Sequence, residues 1–237
     1  MNIALVLSGG TGIRLGTDIP KQYLEVGGKP VLSWCLEVLA AHEGIDAIHI
    51  VADPAWQGQI REWLEEVDGG RKFRGFSAPG ANRQLSIFHG LEDMESYAEE
   101  ADSVLIHDAA RPLLSEDLIS DCLEGIRGHD GVLPVLPMKD TVYASRDGKR
   151  ISSLLKREEV FAGQAPELFR FGKYYEANKK LLPEAILRIN GSTEPAILAG
   201  LDIAMIPGDE KNFKITTGAD LERFRRNVRE DRTESGF

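Results

Sequence analysis

The chain opens with a strand-length apolar run that leads directly into a glycine-rich loop, and residues 3–16 read IALVLSGGTGIRLG. Glycines placed directly after a first strand let the backbone approach an anion closely and point N–H groups at it. The two common phosphate-binding patterns do not fit this loop. A dinucleotide fingerprint beginning at Gly10 would need a third glycine where Leu15 stands, and a P-loop would need Lys and Ser or Thr directly after Gly16. The loop is therefore predicted to bind an anion in another way.

Apolar runs of strand length alternate with stretches of helical period through the first half of the chain. The strand-like runs are residues 3–7, 47–52, 72–76 and 103–107, and the helix-like stretches are residues 31–41, 55–67 and a segment from Asn82. Helices that connect successive strands favour a mostly parallel sheet covered by helices on both faces. We therefore predict a single-domain α/β fold over residues 1–237 with a Rossmann-like sheet. Such sheets bind ligands at the carboxyl ends of their strands, so we expect the site in the loops after Leu7 and Ile106.

Beyond Pro137 the pattern changes. Two strand-like runs, residues 141–144 and 151–155, flank an Asp-Gly turn, which is typical of a β-hairpin. Since no linker rich in proline or glycine separates this hairpin from the rest, we interpret residues 139–157, approximately, as an arm that projects from the domain. Such arms commonly pair with a second subunit, so we expect a homodimer. The charged residues after about 229 are expected to fray.

Composition limits the classes of protein to consider. The 237 residues are 42% hydrophobic and 28% charged, which excludes wholesale disorder and a coiled-coil rod. The formal charge is −10, so we expect no nucleic-acid partner. No basic leader or membrane-length apolar run is present, and we therefore expect a cytoplasmic protein with no membrane partner. Cys35 and Cys122 lie far apart in helix-like segments, a pattern that indicates neither a disulfide framework nor a zinc cluster.

Two cations accompany the glycine loop. Arg14 lies inside it, and Lys21 follows Pro20 a few residues later. Cations beside a loop of backbone N–H groups suit a triphosphate, whose charge must be neutralised before another anion can approach. The alternative is a plain strand-to-helix turn with solvated charges. The combination of Arg14 with Pro20 and Lys21 favours the triphosphate.

The loop and its cations also resemble a known signature. GGTGIRLG (9–16) with PKQYL (20–24) is similar to the motif of sugar-nucleotide pyrophosphorylases and cytidylyltransferases, and more narrowly to the methylerythritol phosphate and ribitol phosphate cytidylyltransferases. Further matching segments follow in order over most of the chain: RQLS (83–86), HDAARP (107–112), KDT (139–141), Arg157, GQAP (163–166), STE (192–194) and FKIT (213–216). The resemblance implies a nucleotide-diphospho-sugar transferase-like fold.

In that family an oxygen of the acceptor's phosphate attacks the α-phosphorus of CTP, expels pyrophosphate and leaves a CDP-linked polyol. Positioning and charge neutralisation can supply most of the catalysis, so no covalent protein nucleophile is needed. The resemblance implies that Arg14, Lys21 and Lys214 are the catalytic cations. It implies that CTP is bound by Ser8, Gly9, Gly10, Thr11, Gly12, Arg83, Ser86 and Asp108. A helix cap is the rival interpretation of Arg83 and Ser86.

Asp108 is also the expected metal ligand. It follows the apolar run 103–107, at the edge where a ligand should lie, and a carboxylate there would repel a triphosphate unless a cation lay between them. We therefore expect Mg²⁺ or another divalent cation at Asp108. Capping of the next turn is the alternative role, and Arg111 is expected to be the salt-bridge partner of Asp108. His107 and the other histidines are interpreted as structural.

The resemblance implies that Thr141, Arg157, Thr193 and Glu194 bind the acceptor. Thr141 and Arg157 flank the hairpin and could reach the acceptor from a neighbouring subunit. For Arg157 alone, an exposed charge with no ligand is the simpler interpretation.

Three features depart from the methylerythritol phosphate pattern. SGG (8–10) stands where AAG is usual, Ala165 stands where Thr is frequent, and Glu194 stands where a Thr-Asp pair is usual. A longer carboxylate near the acceptor would shift its hydrogen bonds by about one methylene, which is enough to alter which polyol fits. The two glycines and NFKITT (212–217) lean toward the ribitol phosphate branch, whereas DAARP (108–112) and KDT (139–141) lean toward methylerythritol phosphate.

We expect 2-C-methyl-D-erythritol 4-phosphate, an isoprenoid precursor, to be the acceptor. Ribitol 5-phosphate, which would give CDP-ribitol for cell-surface polymers, is the alternative. Two other classes stay open at this point. One is a hexose-1-phosphate nucleotidyltransferase, and the other is a non-catalytic nucleotide-binding subunit.

Overall fold

The computed structural model describes residues 1–10, 19–68 and 70–234 of the chain. The strands of these residues are β1 (Asn2–Leu7), β2 (Glu25–Val26), β3 (Lys29–Pro30), β4 (Ala47–Val51), β5 (Phe73–Ser77), β6 (Ser103–Asp108), β7 (Gly131–Pro137), β8 (Tyr143–Ala144), β9 (Ser153–Leu154), β10 (Phe161–Gly163), β11 (Glu167–Arg170) and β12 (Ile203–Pro207). The helices are α1 (Val31–Ala41), α2 (Pro54–Asp68), α3 (Arg83–Met94), α4 (Glu116–Gly125), α5 (Phe171–Lys179), α6 (Glu194–Leu198) and α7 (Gly218–Glu234).

Eight of the described strands form a main sheet in the order β10-β7-β11-β6-β1-β4-β5, with β12 also paired to β7, whereas β2 with β3 and β8 with β9 form separate two-stranded sheets. Strands β6, β1, β4 and β5 run parallel to one another, as does β12 to β7, whereas β11 and β10 pair in the antiparallel sense. The predicted single-domain α/β fold with a mostly parallel sheet is therefore confirmed. At the centre, Leu7 of β1 lies opposite both Val51 of β4 and Asp108 of β6. This register brings the loops after β1 and β6 to the same edge.

The sheet is buried on both faces because side chains of β1 alternate between two apolar layers. Ala4 and Val6 pack in the layer that contains α1, α2 and α4, and Ile3 and Leu5 pack in the layer that contains α3 and α5. A smaller cluster joins Phe224 of α7 to fully buried Ile215. Helix α7 thus holds the segment that carries Lys214.

Helix α3 begins one residue later than the sequence predicts. Asn82 has extended backbone and its side chain accepts a hydrogen bond from the Leu85 N–H at 2.8 Å, so Asn82 caps the helix rather than joining it. The other predicted segments correspond to β1, α1, β4, α2, β5 and β6. Cys35 and Cys122 lie buried in α1 and α4 as free thiols.

The predicted hairpin is present, although its strands are shorter than expected. Tyr143 pairs with Leu154 and Ala144 pairs with Ser153. Large apolar side chains on this arm are exposed, including Tyr143, Ile151 and Leu154. Helix α7 continues to Glu234, past the position near 229 where fraying was predicted. Among the described residues, no helix combines the length and apolar character that a membrane crossing requires.

Candidate active site

Three loops meet at the carboxyl edge of the sheet. The Ser8 N–H donates to the Val51 carbonyl at 2.8 Å, and the Ala109 N–H donates to the Leu7 carbonyl at 3.0 Å, so the loops after β1 and β6 begin side by side. The loop after β5 packs onto the loop after β1 so closely that a Cβ built on Gly9 would lie 2.6 Å from Pro79 Cβ. The three loops therefore lie together at the edge where the sequence predicted the site.

The start of the glycine loop is held by the segment that follows it. Gln22 Nε2 donates to the carbonyl oxygens of Ser8 and Gly10, each at 2.8 Å. The Tyr23 hydroxyl donates to the Ser8 carbonyl at 2.9 Å and accepts from Ser8 Oγ at 2.9 Å. These bonds fix Ser8, Gly9 and Gly10 before any ligand arrives. The predicted site residues Thr11, Gly12 and Arg14 lie outside the described residues.

Asp108 is the centre of the charged group at this edge. Its Oδ1 accepts from Arg83 Nε at 3.1 Å, and its Oδ2 lies 3.0 Å from Lys214 Nζ and 3.5 Å from Arg111 Nε. The expected salt bridge with Arg111 is therefore confirmed. The pairing with Arg83 and Lys214 was not predicted, because both residues were assigned to the nucleotide. The sheet and α7 bring together residues that are up to 106 positions apart in sequence.

The environment of Asp108 keeps it ionised. Burial by itself would raise its pKa, but the charges of Arg83, Lys214 and Arg111 outweigh burial and hold the pKa well below the usual range of a carboxyl group. Neighbouring His107 is buried, and burial lowers its pKa to about 4, so its imidazole is neutral at pH 7. His107 Nε2 lies 3.0 Å from the Arg111 carbonyl oxygen, which agrees with the structural role expected for this histidine.

Lys21 lies on the short 3-10 turn Lys21–Tyr23, which follows the glycine loop. Its Nζ donates to the Ile215 carbonyl at 2.5 Å, and Ile215 directly follows Lys214. The Ile215 N–H in turn donates to the Ala110 carbonyl at 2.8 Å. Lys21 thus binds the backbone directly beside Lys214, so the two lysines that the resemblance assigns to catalysis lie on adjoining segments, although they come from opposite ends of the chain.

Glu167 is a charged residue of the site that sequence reasoning missed. It is buried at the start of β11, and its Oε2 has no hydrogen-bond partner among the described residues. Burial raises its pKa, while the charge of Arg83 and the hydroxyl of Ser192 oppose that rise. Arg83 Nη1 donates to Ser192 Oγ at 2.7 Å. Arg83 therefore links Asp108 to Ser192, beside which lie the predicted acceptor residues Thr193 and Glu194.

Ser86 shapes the loop after β5 from the first turn of α3. Its hydroxyl accepts from the Gly80 N–H at 2.9 Å and donates to the Asn82 carbonyl at 2.8 Å. The helix cap itself is Asn82, so the rival interpretation of Ser86 and Arg83 as the cap is wrong. Contact of these two residues with a nucleotide stays a prediction.

The predicted acceptor residues occupy two separate places. Glu194 Oε2 accepts from the Asn190 N–H at 2.8 Å at the start of α6, next to Thr193. Thr141 and Arg157 are exposed on the arm, where Arg157 Nη1 donates to the Lys139 carbonyl at 3.0 Å. Their joint action on one acceptor stays a prediction.

Comparisons with known proteins agree with this architecture. The family model described as "IspD: 2-C-methyl-D-erythritol 4-phosphate cytidylyltransferase" matches residues 2–229. The 2-C-methyl-D-erythritol 4-phosphate cytidylyltransferase of Geobacter metallireducens is 37% identical over 221 residues, which cover 92% of this chain and 93% of that protein. The ribitol-5-phosphate cytidylyltransferase of Streptococcus agalactiae serotype V is 30% identical over 226 residues, covering 95% of this chain and 94% of that one. Among solved structures, 4-diphosphocytidyl-2C-methyl-D-erythritol synthase from Anaerococcus prevotii gives a TM-score of 0.81 at 26% identity, with 96% of each chain covered.

Proposed function

The chain belongs to the 2-C-methyl-D-erythritol 4-phosphate cytidylyltransferase family, and from this premise we propose that it transfers CMP from CTP to 2-C-methyl-D-erythritol 4-phosphate and releases pyrophosphate. The observation that carries the proposal is the group of three cations on Asp108, at the edge where the loops after β1, β5 and β6 meet. Cations concentrated in one hollow of an acidic protein suit two anionic reactants. The predicted enzyme class, a nucleotidyltransferase that uses CTP, follows from the family.

In the proposed reaction an oxygen of the acceptor's phosphate attacks the α-phosphorus of CTP. The bond from that phosphorus to the bridging oxygen breaks, and its electron pair leaves with pyrophosphate. Negative charge grows on the non-bridging oxygens, so ammonium groups fixed beside them lower the barrier. We assign this role to Lys214 and Lys21, which meet at the 214–215 segment, together with Arg14 of the glycine loop. The charges of Lys214 and Lys21 are already in position before the reaction begins.

We propose that the Ser8 hydroxyl and the backbone N–H groups of residues 9–12 hold the triphosphate, since the Ser8 N–H already donates to the Val51 carbonyl. The bonds from Gln22 and Tyr23 go to the carbonyl oxygens of Ser8 and Gly10 and to the Ser8 hydroxyl, and not to the N–H groups of Gly9 or Gly10. Arg83 and Ser86, beside the loop after β5, are proposed to face the cytosine.

We propose that a magnesium ion binds together with the nucleotide at this edge, where it would take the place of a cation now paired with Asp108. Magnesium is usually held by one or two carboxylates together with substrate phosphates rather than by an all-protein cage. Within the described part of the chain, no three His, Cys, Asp or Glu side chains cluster as a metal site would require. Asp108 is the carboxylate we propose as the ligand. A bound ion would neutralise phosphate charge that otherwise repels Asp108.

Ribitol 5-phosphate is the second candidate acceptor, since a ribitol-5-phosphate cytidylyltransferase aligns over 95% of this chain. The longer carboxylate of Glu194 bears on this choice. Because one of its oxygens caps the turn at Asn190, we propose that only the other oxygen is available to an acceptor hydroxyl. The family model and the higher identity to a methylerythritol phosphate enzyme, 37% against 30%, favour the first candidate.

We further propose that the enzyme is a cytoplasmic homodimer in which the arm of one subunit brings Thr141 and Arg157 to the acceptor site of the other. The exposed apolar side chains of the arm support this proposal, because 53% of Tyr143 and 65% of Leu154 would otherwise face water. Pairing of the arm with a second subunit would remove these side chains from water.

Pyrophosphate release from CTP tests the function directly. With magnesium present, turnover is expected with 2-C-methyl-D-erythritol 4-phosphate, and the rate with ribitol 5-phosphate should be at least about tenfold lower in kcat/KM. Faster turnover with ribitol 5-phosphate would reassign the acceptor. Turnover only with a hexose 1-phosphate, or tight CTP binding with no turnover, would identify one of the two remaining classes.

The lysine assignment is tested by a matched pair of variants. Lys21→Ala should lower kcat by about 100-fold or more while the fold is kept. Lys72→Ala is the control, because Lys72 Nζ also donates to a backbone carbonyl, that of His42 at 2.8 Å, but at the opposite edge of the sheet. A Lys21→Ala enzyme as fast as the control would remove Lys21 from the mechanism.

A further inference from the structure

The segment that carries Lys214 is held in place by a buried glutamine. This segment, residues 208–216, is called here the lysine loop. Gln164 comes directly after β10, the strand by which the chain returns from the arm, and only 4% of its surface is exposed. Its Oε1 accepts from the Asp209 N–H at 3.0 Å, and its Nε2 donates to the carbonyl oxygens of Asp209 at 2.8 Å and Asn212 at 3.3 Å. One side chain therefore satisfies three backbone groups of an irregular loop.

Asn212 reinforces this contact from the loop side. Its side chain is fully buried, and its Nδ2 donates to the Ala165 carbonyl at 2.8 Å. Its own carbonyl oxygen also accepts from Arg111 Nη1 at 2.8 Å. Arg111 is one of the three cations on Asp108. A continuous chain of hydrogen bonds thus runs from Gln164 through Asn212 to the centre of the proposed active site.

The other side of the arm is fastened to the same loop. Lys139, at the beginning of the arm, forms an ion pair with Glu210. The Gly208 N–H donates to the carbonyl of Val135 in β7, the strand that leads into the arm. Two residues after Asn212, Lys214 reaches Asp108. The lysine loop is therefore attached to the two strands from which the arm projects, in addition to its contacts with α7 and Ala110.

We propose that Gln164 is a positioning residue that acts through Lys214, fixing the lysine loop to the base of the arm so that the ammonium group meets the reacting phosphate in the correct place. This inference rests on the proposed function and adds a specific residue to it. Preorganised charge stabilises a transition state only while its position is held, and a shift of about 1 Å can cost about 100-fold in rate. The glutamine itself touches no reacting atom.

The test is a cycle of single and double variants. Gln164→Met keeps the length of the side chain and removes all three hydrogen bonds. We expect it to lower kcat by about 10-fold and to change KM for CTP by less than about threefold. Lys214→Ala should lower kcat by about 100-fold, and the double variant should be no more than about twofold slower than Lys214→Ala alone, since Gln164 then has no ammonium left to position.

Gln57→Met is the matched control, because Gln57 Nε2 also donates to a backbone carbonyl, that of Ala52 at 3.1 Å, and kcat should stay within about twofold of wild type. Thermal melts verify that each variant is folded. If Gln164→Met does not fold, Gln164→Asn replaces it in the same cycle with the same expectation, because its amide is one methylene shorter and cannot keep all three bonds to Asp209 and Asn212.

The outcomes separate the inference from the function on which it rests. If Gln164→Met slows Lys214→Ala by the same factor as it slows wild type, Gln164 does not act through the lysine, although the enzyme assignment stands. If Lys214→Ala turns over at the wild-type rate, the proposed role of Lys214 is wrong, and the inference about Gln164 is wrong with it. Loss of kcat confined to backgrounds that contain Lys214 supports the inference.

Discussion

Adding one methyl group at Gly9 should separate two of the loops that form the site. A Cβ on residue 9 would lie 2.6 Å from Pro79 Cβ and 3.3 Å from Pro79 Cγ. Carbon atoms in favourable contact lie about 3.5–4.0 Å apart, so one of the loops must move by about 1 Å. Pro79 Cβ belongs to a ring fused to the backbone and cannot rotate away as a flexible side chain would. The backbone itself must therefore shift.

A shift of this size in a binding loop is expected to lower kcat/KM for CTP by about 10- to 100-fold in Gly9→Ala. Overpacking costs about 1–3 kcal/mol, which for a chain of this length lowers Tm by about 2–12 °C and leaves the protein folded at 25 °C. Pyrophosphate release measured over a range of CTP concentrations gives kcat/KM, and a thermal melt gives the stability.

Two further changes at Pro79 distinguish this steric cause from others. Pro79→Gly removes the Cβ that the new methyl group meets, whereas Pro79→Ala keeps it. Gly9→Ala combined with Pro79→Gly should regain most of the activity of Pro79→Gly alone, and Gly9→Ala combined with Pro79→Ala should stay impaired. Equal recovery in both double variants, or a Gly9→Ala enzyme with wild-type kcat/KM, would refute the reasoning.

Two other predictions follow from the charges and the arm. Asp108→Asn removes the carboxylate that pairs with three cations and should lower the free energy of unfolding by about 3 kcal/mol. This is the low end for a broken buried pair, because the side chains of Arg83 and Lys214 are 32% and 34% exposed. Since folding lowers the pKa of Asp108, the stability difference from wild type should be full at pH 7 and should shrink below about pH 4, which urea denaturation at pH 7 and below pH 4 measures. Leu154→Glu on the arm should convert the proposed dimer to a monomer, as measured by light scattering, and should reduce turnover. Met205→Glu is the control, because Met205 is a similarly exposed apolar residue on β12, and it should change neither the mass nor the turnover. An unchanged mass for Leu154→Glu would count against a dimer formed by the arm.

The central part of the fold could be predicted because its signals are local. Continuous apolar runs gave β1, β4 and β6, and the helical period gave α1 and α2. Strands β7, β11 and β12 carry weaker patterns, since β7 contains two prolines and β11 has only four residues. Their identity as strands depends on pairing with one another, which no short window of sequence contains.

The residues of the candidate site also divide into those that the sequence could indicate and those that only the fold reveals. The glycine loop, Asp108 and Lys214 could be proposed from the sequence because each lies in a short local motif. Glu167 was missed because a glutamate at the edge of an apolar run usually faces water, and only its place beside Arg83 and Asp108 buries it. The contact between Gly9 and Pro79 joins residues far apart in sequence, so the sequence alone could not reveal it. It explains why a glycine stands where the methylerythritol phosphate pattern usually has alanine, because an alanine Cβ would collide with Pro79.

The charges at the carboxyl edge explain why the proposed phosphate site contains a buried aspartate. Arg83, Arg111 and Lys214 would repel one another in a partly buried hollow without a carboxylate between them. Asp108 holds them together before the nucleotide binds, so their arrangement does not have to be created during the reaction. Phosphate oxygens can then take over as partners of the same cations. The contacts of Gln164 and Asn212 serve the same end, since a lysine on an irregular loop keeps its place only if the backbone beneath it is fixed.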